Sequence, residues 1–248
     1  MINLKTTREL RYMRDAGKIS QEALLKAGEA VRPGVSTLEL DKIVRRTIEK
    51  AGAVPSFLGY GGFPASACVS VNEEVVHGIP SKKRKLKEGD IVSVDVGSTY
   101  KSYVSDAART YPVGKIDPEA QRLIDVTRDS FFEGLKFCKV GYRLSDISHA
   151  IQVKAESEGY GVIRDFVGHG VGRDMHEEPQ IPNYGAPGRG PRLAKGMVFA
   201  IEPMITQGDY EVETLLNNWT VVTLDGKLSA HYENTVVITD GEPELLTL

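Results

Sequence analysis

The chain is poor in the residues that would commit it to several classes of protein. Its 248 residues include two cysteines, Cys68 and Cys138, too few for a disulfide framework and in keeping with a reducing compartment. Charge of one sign is lacking too: 31 basic against 34 acidic residues leave a formal net charge of −3. That balance argues against a nucleic-acid coat or a polybasic membrane anchor. No apolar run approaches 18 residues, and the opening MINLKTTREL has no apolar h-region, so we expect a cytoplasmic protein with no membrane association. Low-complexity stretches and linkers are missing as well. Histidine is scarce, with five residues at positions 77, 149, 169, 176 and 231.

What is present is enough chain for one large domain or two fused halves, able to bury roughly 70–75% of its unfolded surface without staples. The first 52 residues read as two helices. Leu10, Met13, Gly17, Ser20, Leu24 and Ala27 fall near a 3.6 period after Thr6-Thr7, and Pro33-Gly34 breaks the run. Ser36/Thr37 then opens a helix with Leu40, Ile43, Val44 and Ile48 on one face, ending at Gly52. A glycine-rich loop, Gly59 to Gly62, leads into strand-like segments at Cys68–Val71, Ile91–Val96 and Tyr103–Tyr111. Helices are expected again at 118–137 and 144–158, and a strand from Val162 to Val167.

The pattern repeats at an offset of about 107 residues. That shift places Gly34 on Gly141, Leu40 on Ile147, Val44 on Ile151 and Gly52 on Gly159. It also places Gly89 on Gly196, Ile91 on Val198 and Asp95 on Glu202. We therefore expect a single domain, 1–248, built from an internal pseudo-repeat of about 1–112 and 113–248. Each half would offer two helices covering an antiparallel sheet, an α/β (α+β) architecture. The run Ser81 to Lys87 carries five basic residues and reads as a solvated turn before a strand, with a transient ribosome contact as the alternative.

Four acids stand where strands should be. Asp95 in IVSVDVG and Asp106 in YVSDAART would face each other across a hairpin centred on Tyr100-Lys101, their Cβ atoms about 4.5–5.5 Å apart. Like charges so placed repel, so a proton is shared, a cation sits between them, or the register differs. Glu202 ends the apolar run Met197 to Ile201, and Glu233 leads the apolar run after it. A carboxylate at a buried strand end is costly unless it is paired or coordinated. Four converging carboxylates carry too much charge to bury without a cation. His169, between glycines in GHGVG where the backbone can bend close to a ligand, supplies one nitrogen donor. One imidazole with four carboxylates is a hard donor set that suits two divalent ions, roughly 3.5–4 Å apart, rather than a structural zinc. His77 and His176 are left as acid–base or oxyanion groups, His149 as structural, and His231 as a neighbour of Glu233 by alternation.

The strings VNEEVVHGIP (71–80), GHGVG (168–172), HEEP (176–179), GMVFAIEP (196–203) and NWT (218–220) resemble type I methionine aminopeptidases of the short bacterial form. The resemblance spans essentially the whole chain and implies the pita-bread fold of two pseudo-symmetric halves. It implies Asp95, Asp106, His169, Glu202 and Glu233 as metal ligands, with two ions drawn from Co²⁺, Mn²⁺, Fe²⁺, Ni²⁺ or Zn²⁺. It further implies removal of the initiator methionine from nascent polypeptides, preferentially before a small second residue. A metal-activated water would attack the carbonyl, Glu202 doubling as general base, while His77 and His176 hold the carbonyl oxygen. Tyr60, Phe63, Cys68, Met175 and Trp219 match methionine-pocket positions, with Met175 where relatives often have phenylalanine. Phe57 stands where a smaller residue is common, and Asn234 where relatives often have histidine. The partner implied is the N-terminus of a nascent chain, with no specific nucleic acid, and the protein is expected to act as a monomer. Two rivals share the fold: a Xaa-Pro peptidase of prolidase or aminopeptidase P type, and a non-enzymatic binding protein.

Overall fold

A computed structural model describes all residues, 1–248. Helix α1 (Thr7–Ala30) starts at a capping box in which Thr6 and Glu9 satisfy each other's backbone amides. Its buried face is made of small residues, Ala16, Gly17, Ser20, Ala23 and Ala27 among them, so the helix lies close against the sheet beneath. At Gly28 a Cβ would come within 2.5 Å of the Tyr111 ring. Helix α2 (Thr37–Lys50) has its own box at Ser36 and Glu39, and ends before Gly52, whose φ is +75°. The chain continues through β1 (Val54–Pro55), β2 (Ala67–Val71), β3 (Glu74–Val76), β4 (Ile91–Tyr100) and β5 (Tyr103–Pro112), of which all but β3 lie under these helices. Strands β1, β2 and β5 all pair antiparallel with β4. Leu40, Val44 and Ile48 of α2 and Val92, Val94 and Val96 of β4 share one core.

The second half begins with α3 (Pro118–Leu135), capped by Asp117 with proline at its first position, and α4 (Leu144–Ser157). It continues through β6 (Gly161–Val162), β7 (Gly168–Gly170), β8 (Glu177–Ile181), β9 (Val198–Ile201) and β10 (Met204–Thr206). The remaining strands are β11 (Val212–Thr214), β12 (Val221–Thr223), β13 (Ser229–His231), β14 (Asn234–Val237) and β15 (Glu244–Leu245). A five-stranded sheet runs β15-β14-β9-β7-β8, and two smaller sheets run β13-β10-β6 and β11-β12-β3. Phe131, Ile147, Ile151, Phe199 and Ile201 form the core between α3, α4 and the large sheet. The strand expected over Val162–Val167 shortens to β6, and the chain reaches His169 through an irregular stretch.

Elements of the two halves recur at the same spacing. Both ends of α4 lie 107 residues beyond the ends of α2, and β9 starts 107 residues beyond β4. The isolated bridges Ser36–Lys85 and Arg143–Arg192 are separated by the same interval. The halves meet where β5 approaches β14: Glu233 and Ala108 exchange backbone hydrogen bonds of 3.0 and 3.4 Å. The Thr235 hydroxyl spans the same seam, donating to the Asp106 carbonyl and accepting from its amide. In the basic run, Lys82, Lys83, Lys85 and Lys87 are exposed while Leu86 is buried, as a solvated turn requires. No helix is long and apolar enough to cross a membrane.

Candidate active site

The hairpin that carries the two aspartates is shifted from the sequence expectation. Tyr100 pairs with Tyr103, so the turn residues are Lys101 and Ser102, with φ of +48° and +66°. A two-residue hairpin needs left-handed backbone at both central positions, which a bulky Tyr100 resists. The register moves by two as a result: Asp95 lies opposite Ala108 and Asp106 opposite Gly97. The acids stay on one face but are diagonal neighbours, a spacing of about 7–8 Å between backbones instead of direct opposition. Room for a cation between them therefore comes from the register itself.

Each remaining acid sits at a strand break. Glu202 follows β9, where Pro203 ends ladder pairing, and its carbonyl accepts from the buried Asn183 amide at 3.0 Å. Glu233 lies between β13 and β14, against β5. His169 stands in the middle of β7, paired with Ala200 and Gln180 rather than in a loop bent toward a ligand. Its flanking glycines answer to the sheet instead. A Cβ at Gly168 would lie 2.4 Å from the Ala200 carbonyl oxygen, and one at Gly170 would lie 2.3 Å from that of Glu178. The ring's Nδ1 donates to the Gly170 carbonyl at 2.8 Å, which leaves Nε2 with its lone pair toward the acids. Nε2 is 3.6 Å from both Asp106 Oδ2 and Glu202 Oε1.

The electrostatics are those of crowded, buried carboxylates. Burial, and then the charge of Asp106, lift the Asp95 carboxyl well above its ordinary range. The same two causes lift Glu233. Glu202 is pushed up to about 8 by burial, although His169 opposes the shift. Burial disfavours charge on His169 as well, yet Asp106 and Glu202 outweigh it and raise the imidazole to about 8. Asp95 Oδ1, Asp106 Oδ1 and His231 Nε2 are buried with no hydrogen-bond partner. Ligand atoms of Asp106, His169 and Glu233 lie within 4.8 Å of one another. Orphaned oxygens, an imidazole lone pair turned inward and four carboxylates held against their repulsion fit a divalent cation site.

Beside the acids the cavity turns apolar. Its volume is about 210 Å³, and Phe57, Tyr60, Phe63, Cys68, Met175 and Trp219 line one end while the four acids and His169, His77 and His176 line the other. Cys68 pairs with Asp95 across β2 and β4, which brings a sulfur to the boundary between the two ends. Trp219 enters just before β12 and meets Phe63 edge-on at 5.1 Å. His77 follows β3 with φ of +59°, its ring edge-on to Phe166 and Trp219. Tyr60 Oη lies 2.8 Å from His176 Nδ1, and the His176 ring lies 4.2 Å from that of His169. Burial lowers His77, and burial together with His169 lowers His176 to about 4, so both rings are neutral near pH 7.

All twelve side chains singled out in the sequence line this one cavity. Two contributors, Gly97 and Arg109, were not. Gly97 lies beneath it: a Cβ there would come within 2.7 Å of both Met175 Cε and Phe57 Cε1. An isolated glycine inside the β4 pattern was the available signal. Arg109, largely buried, donates to the Glu233 carbonyl at 2.5 Å and to Asn234 Oδ1 at 2.8 Å, and stacks over Tyr232. Asn234 thus braces the backbone of Glu233, although its own Nδ2 is unpartnered. His231 points Nε2 at Glu202 and Glu233, 3.9 Å from each. His149 stays outside, bonded to the Gly185 carbonyl.

Residues 11–240 match the model of metallopeptidase family M24, and the chain belongs to that family. Its fold is the pita-bread fold. Over all of its length it is 58% identical to the methionine aminopeptidase of Clostridium acetobutylicum, covering 99% of that protein. The crystal structure of methionine aminopeptidase from Thermotoga maritima matches with a TM-score of 0.98 at 49% identity, covering 100% of this chain and 99% of that one. Prolidase from Pyrococcus furiosus matches with a TM-score of 0.79 at 24% identity, over 99% of this chain and 65% of that chain, a likeness of fold alone.

Proposed function

We propose that this chain is a metal-dependent aminopeptidase that hydrolyses the bond after an N-terminal methionine, preferentially when the second residue is small. The observation that carries it is one cavity with two ends, an acid cluster and a cup of aromatic and sulfur side chains sized for a thioether. Asp95, Asp106, His169, Glu202 and Glu233 would hold two divalent ions, of which Co²⁺, Mn²⁺, Fe²⁺, Ni²⁺ and Zn²⁺ suit the donor set. Bound there, divalent ions supply Lewis acidity toward a carbonyl and a water reactive near neutral pH.

The side chains do the rest. The Glu202 carboxylate takes a proton from the attacking water and returns it to the leaving nitrogen. His176 is oriented by Tyr60, whose hydroxyl donates to Nδ1 and so fixes the proton on Nε2 for donation to the carbonyl oxygen. His77, neutral for the same reason of burial, offers a second donor as charge develops on that oxygen. Phe57, Phe63, Met175 and Trp219 exclude water from the methionine side chain. The chain would work as one metallopeptidase domain with an internal repeat, about 1–112 and 113–248. It would act in the cytoplasm as a monomer on nascent N-termini, with the exposed lysines of 82–87 as the face for a transient ribosome contact. Comparing turnover of Met-Ala-Ser with that of a Xaa-Pro peptide tests the reading. Preference for the Xaa-Pro peptide would replace it with the prolidase alternative.

A further inference from the structure

The loop that carries Met175 and His176 has no regular structure of its own between Val171 and Glu177. Its anchor is a carboxylate. Glu177 Oε1 accepts from the Arg173 amide at 2.8 Å and lies 3.5 Å from that of Asp174. Its other oxygen meets Lys5 Nζ at 2.5 Å, with the two side chains 5% and 7% exposed. Lys5 is itself fixed, because its backbone amide donates to the Gly196 carbonyl at 2.7 Å. Gly172 leaves the space the pair occupies: a Cβ there would stand 2.2 Å from Glu177 Oε1 and 2.3 Å from Lys5 Cε. The Arg173 side chain, by contrast, is exposed and only 3.9 Å from Glu9, a contact that solvent screens.

A buried ion pair is weak as a source of stability, since apolar residues of similar volume would do as well. What apolar residues cannot do is accept two hydrogen bonds from a loop while being held from the other side. We propose that Lys5 and Glu177 are positioning residues, their buried pair holding the 172–176 loop so that His176 and Met175 face the cavity. This rests on the aminopeptidase reading. Lys5 touches no metal-site residue, so its effect should pass through His176 and not through ion binding.

Three measurements on the full chain test it: turnover of Met-Ala-Ser with a divalent ion added, affinity for that ion by calorimetry, and amide exchange in the metal-free protein. Lys5→Met should lower kcat by about 10²-fold, as a misplacement of roughly 1 Å does, with ion affinity within about threefold of the parent. The amides of Arg173 and Asp174 should exchange at least about tenfold faster while those of β4 are unchanged. Adding Glu177→Gln to Lys5→Met should restore kcat to within about tenfold of the parent, because glutamine still accepts from Arg173 and leaves no buried charge unpaired. If Lys5→Met does not fold, Gly172→Ala displaces the same pair and is read the same way. Unchanged kcat, unchanged exchange, or a loss of kcat matched by a loss of ion affinity overturns the proposal. An unsubstituted chain inert toward Met-Ala-Ser overturns the aminopeptidase reading instead, and the exchange rates still decide whether the pair anchors the loop.

Discussion

The two halves deliver their acids to one point by different means. In the first half Asp95 and Asp106 lie inside unbroken ten-residue strands, β4 and β5, joined by a two-residue turn. In the second, Glu202 and Glu233 lie at breaks where the chain leaves one sheet for another: β9 and β14 pair in the large sheet, β10 and β13 in a small one. Asp95 and Glu202 are 107 residues apart, and the next residue is Val96 in one case and Pro203 in the other. Proline ends the ladder, so the longer glutamate arm returns to a centre that its backbone is leaving. The shorter aspartates need no such reach. The first pair is thus held by local pairing, the second by non-local contacts: Arg109 on the Glu233 carbonyl, Asn183 on that of Glu202.

The largest effect should come from the non-local side. Glu202→Ala is expected to lower turnover of Met-Ala-Ser by at least about 10³-fold, removing a base and an ion-holding oxygen together. Activity within tenfold of the parent would remove Glu202 from that role. Next, His176→Ala should lower kcat by about 10²-fold with ion affinity intact, and Tyr60→Phe by less, since it removes only the orienting hydroxyl. Equal losses in the two variants would mean that Tyr60 acts on substrate directly.

A third prediction concerns the metal-free chain, where the halves' acids repel without relief. Glu202 holds its proton up to about pH 8 when folded but only to about 4.5 when unfolded, and His169 likewise is raised from 6.5 to about 8. Between pH 6.5 and 8 the unfolded chain has released protons that the folded chain keeps, so stability falls as pH rises. His176 and His231, lowered to about 4 and about 3, act in the opposite sense but only below 6.5. The loss should be on the order of a few kcal/mol, or roughly 5–10 °C in Tm for a chain of this size. Thermal melts with chelator at the two pH values measure it. A divalent ion should abolish the slope, and Glu202→Gln should flatten it.

How much of this was legible follows the same division. Helices announced themselves by capping residues and small-residue stripes, and the repeat by three glycines, Gly52, Gly89 and Gly159, that all take positive φ. The acids were conspicuous because carboxylates seldom end apolar runs. What could not be read was partnership across distance. Arg109 looks like a surface residue of an alternating strand until β14 is laid beside it, and Gly97 gives no hint that Met175 and Phe57 close over it. The glycines beside His169 suggest backbone bent close to a ligand, and nothing in the local sequence shows that β8 and β9 lie on either side of β7. Neighbouring carbonyls, and not a ligand, demand those glycines.

The smallest effect is the most discriminating test of the first half. Lys101 and Ser102 hold left-handed φ values that cost non-glycine residues about 1 kcal/mol or more each. Replacing the pair with Asn-Gly, the dipeptide such turns favour, should stabilise the hairpin by about 1 kcal/mol and raise Tm by roughly 2–4 °C. Because the turn already sits at 101–102, the diagonal placement of Asp95 and Asp106 is preserved, and ion affinity and turnover should not change. A hairpin centred on Tyr100-Lys101 would respond differently. Asn-Gly at 101–102 would then draw the register by two residues, turn directly opposed aspartates into diagonal neighbours, and change ion affinity while Tm rose. Calorimetric titration of a divalent ion into the variant separates the two outcomes, and it does so without relying on catalysis.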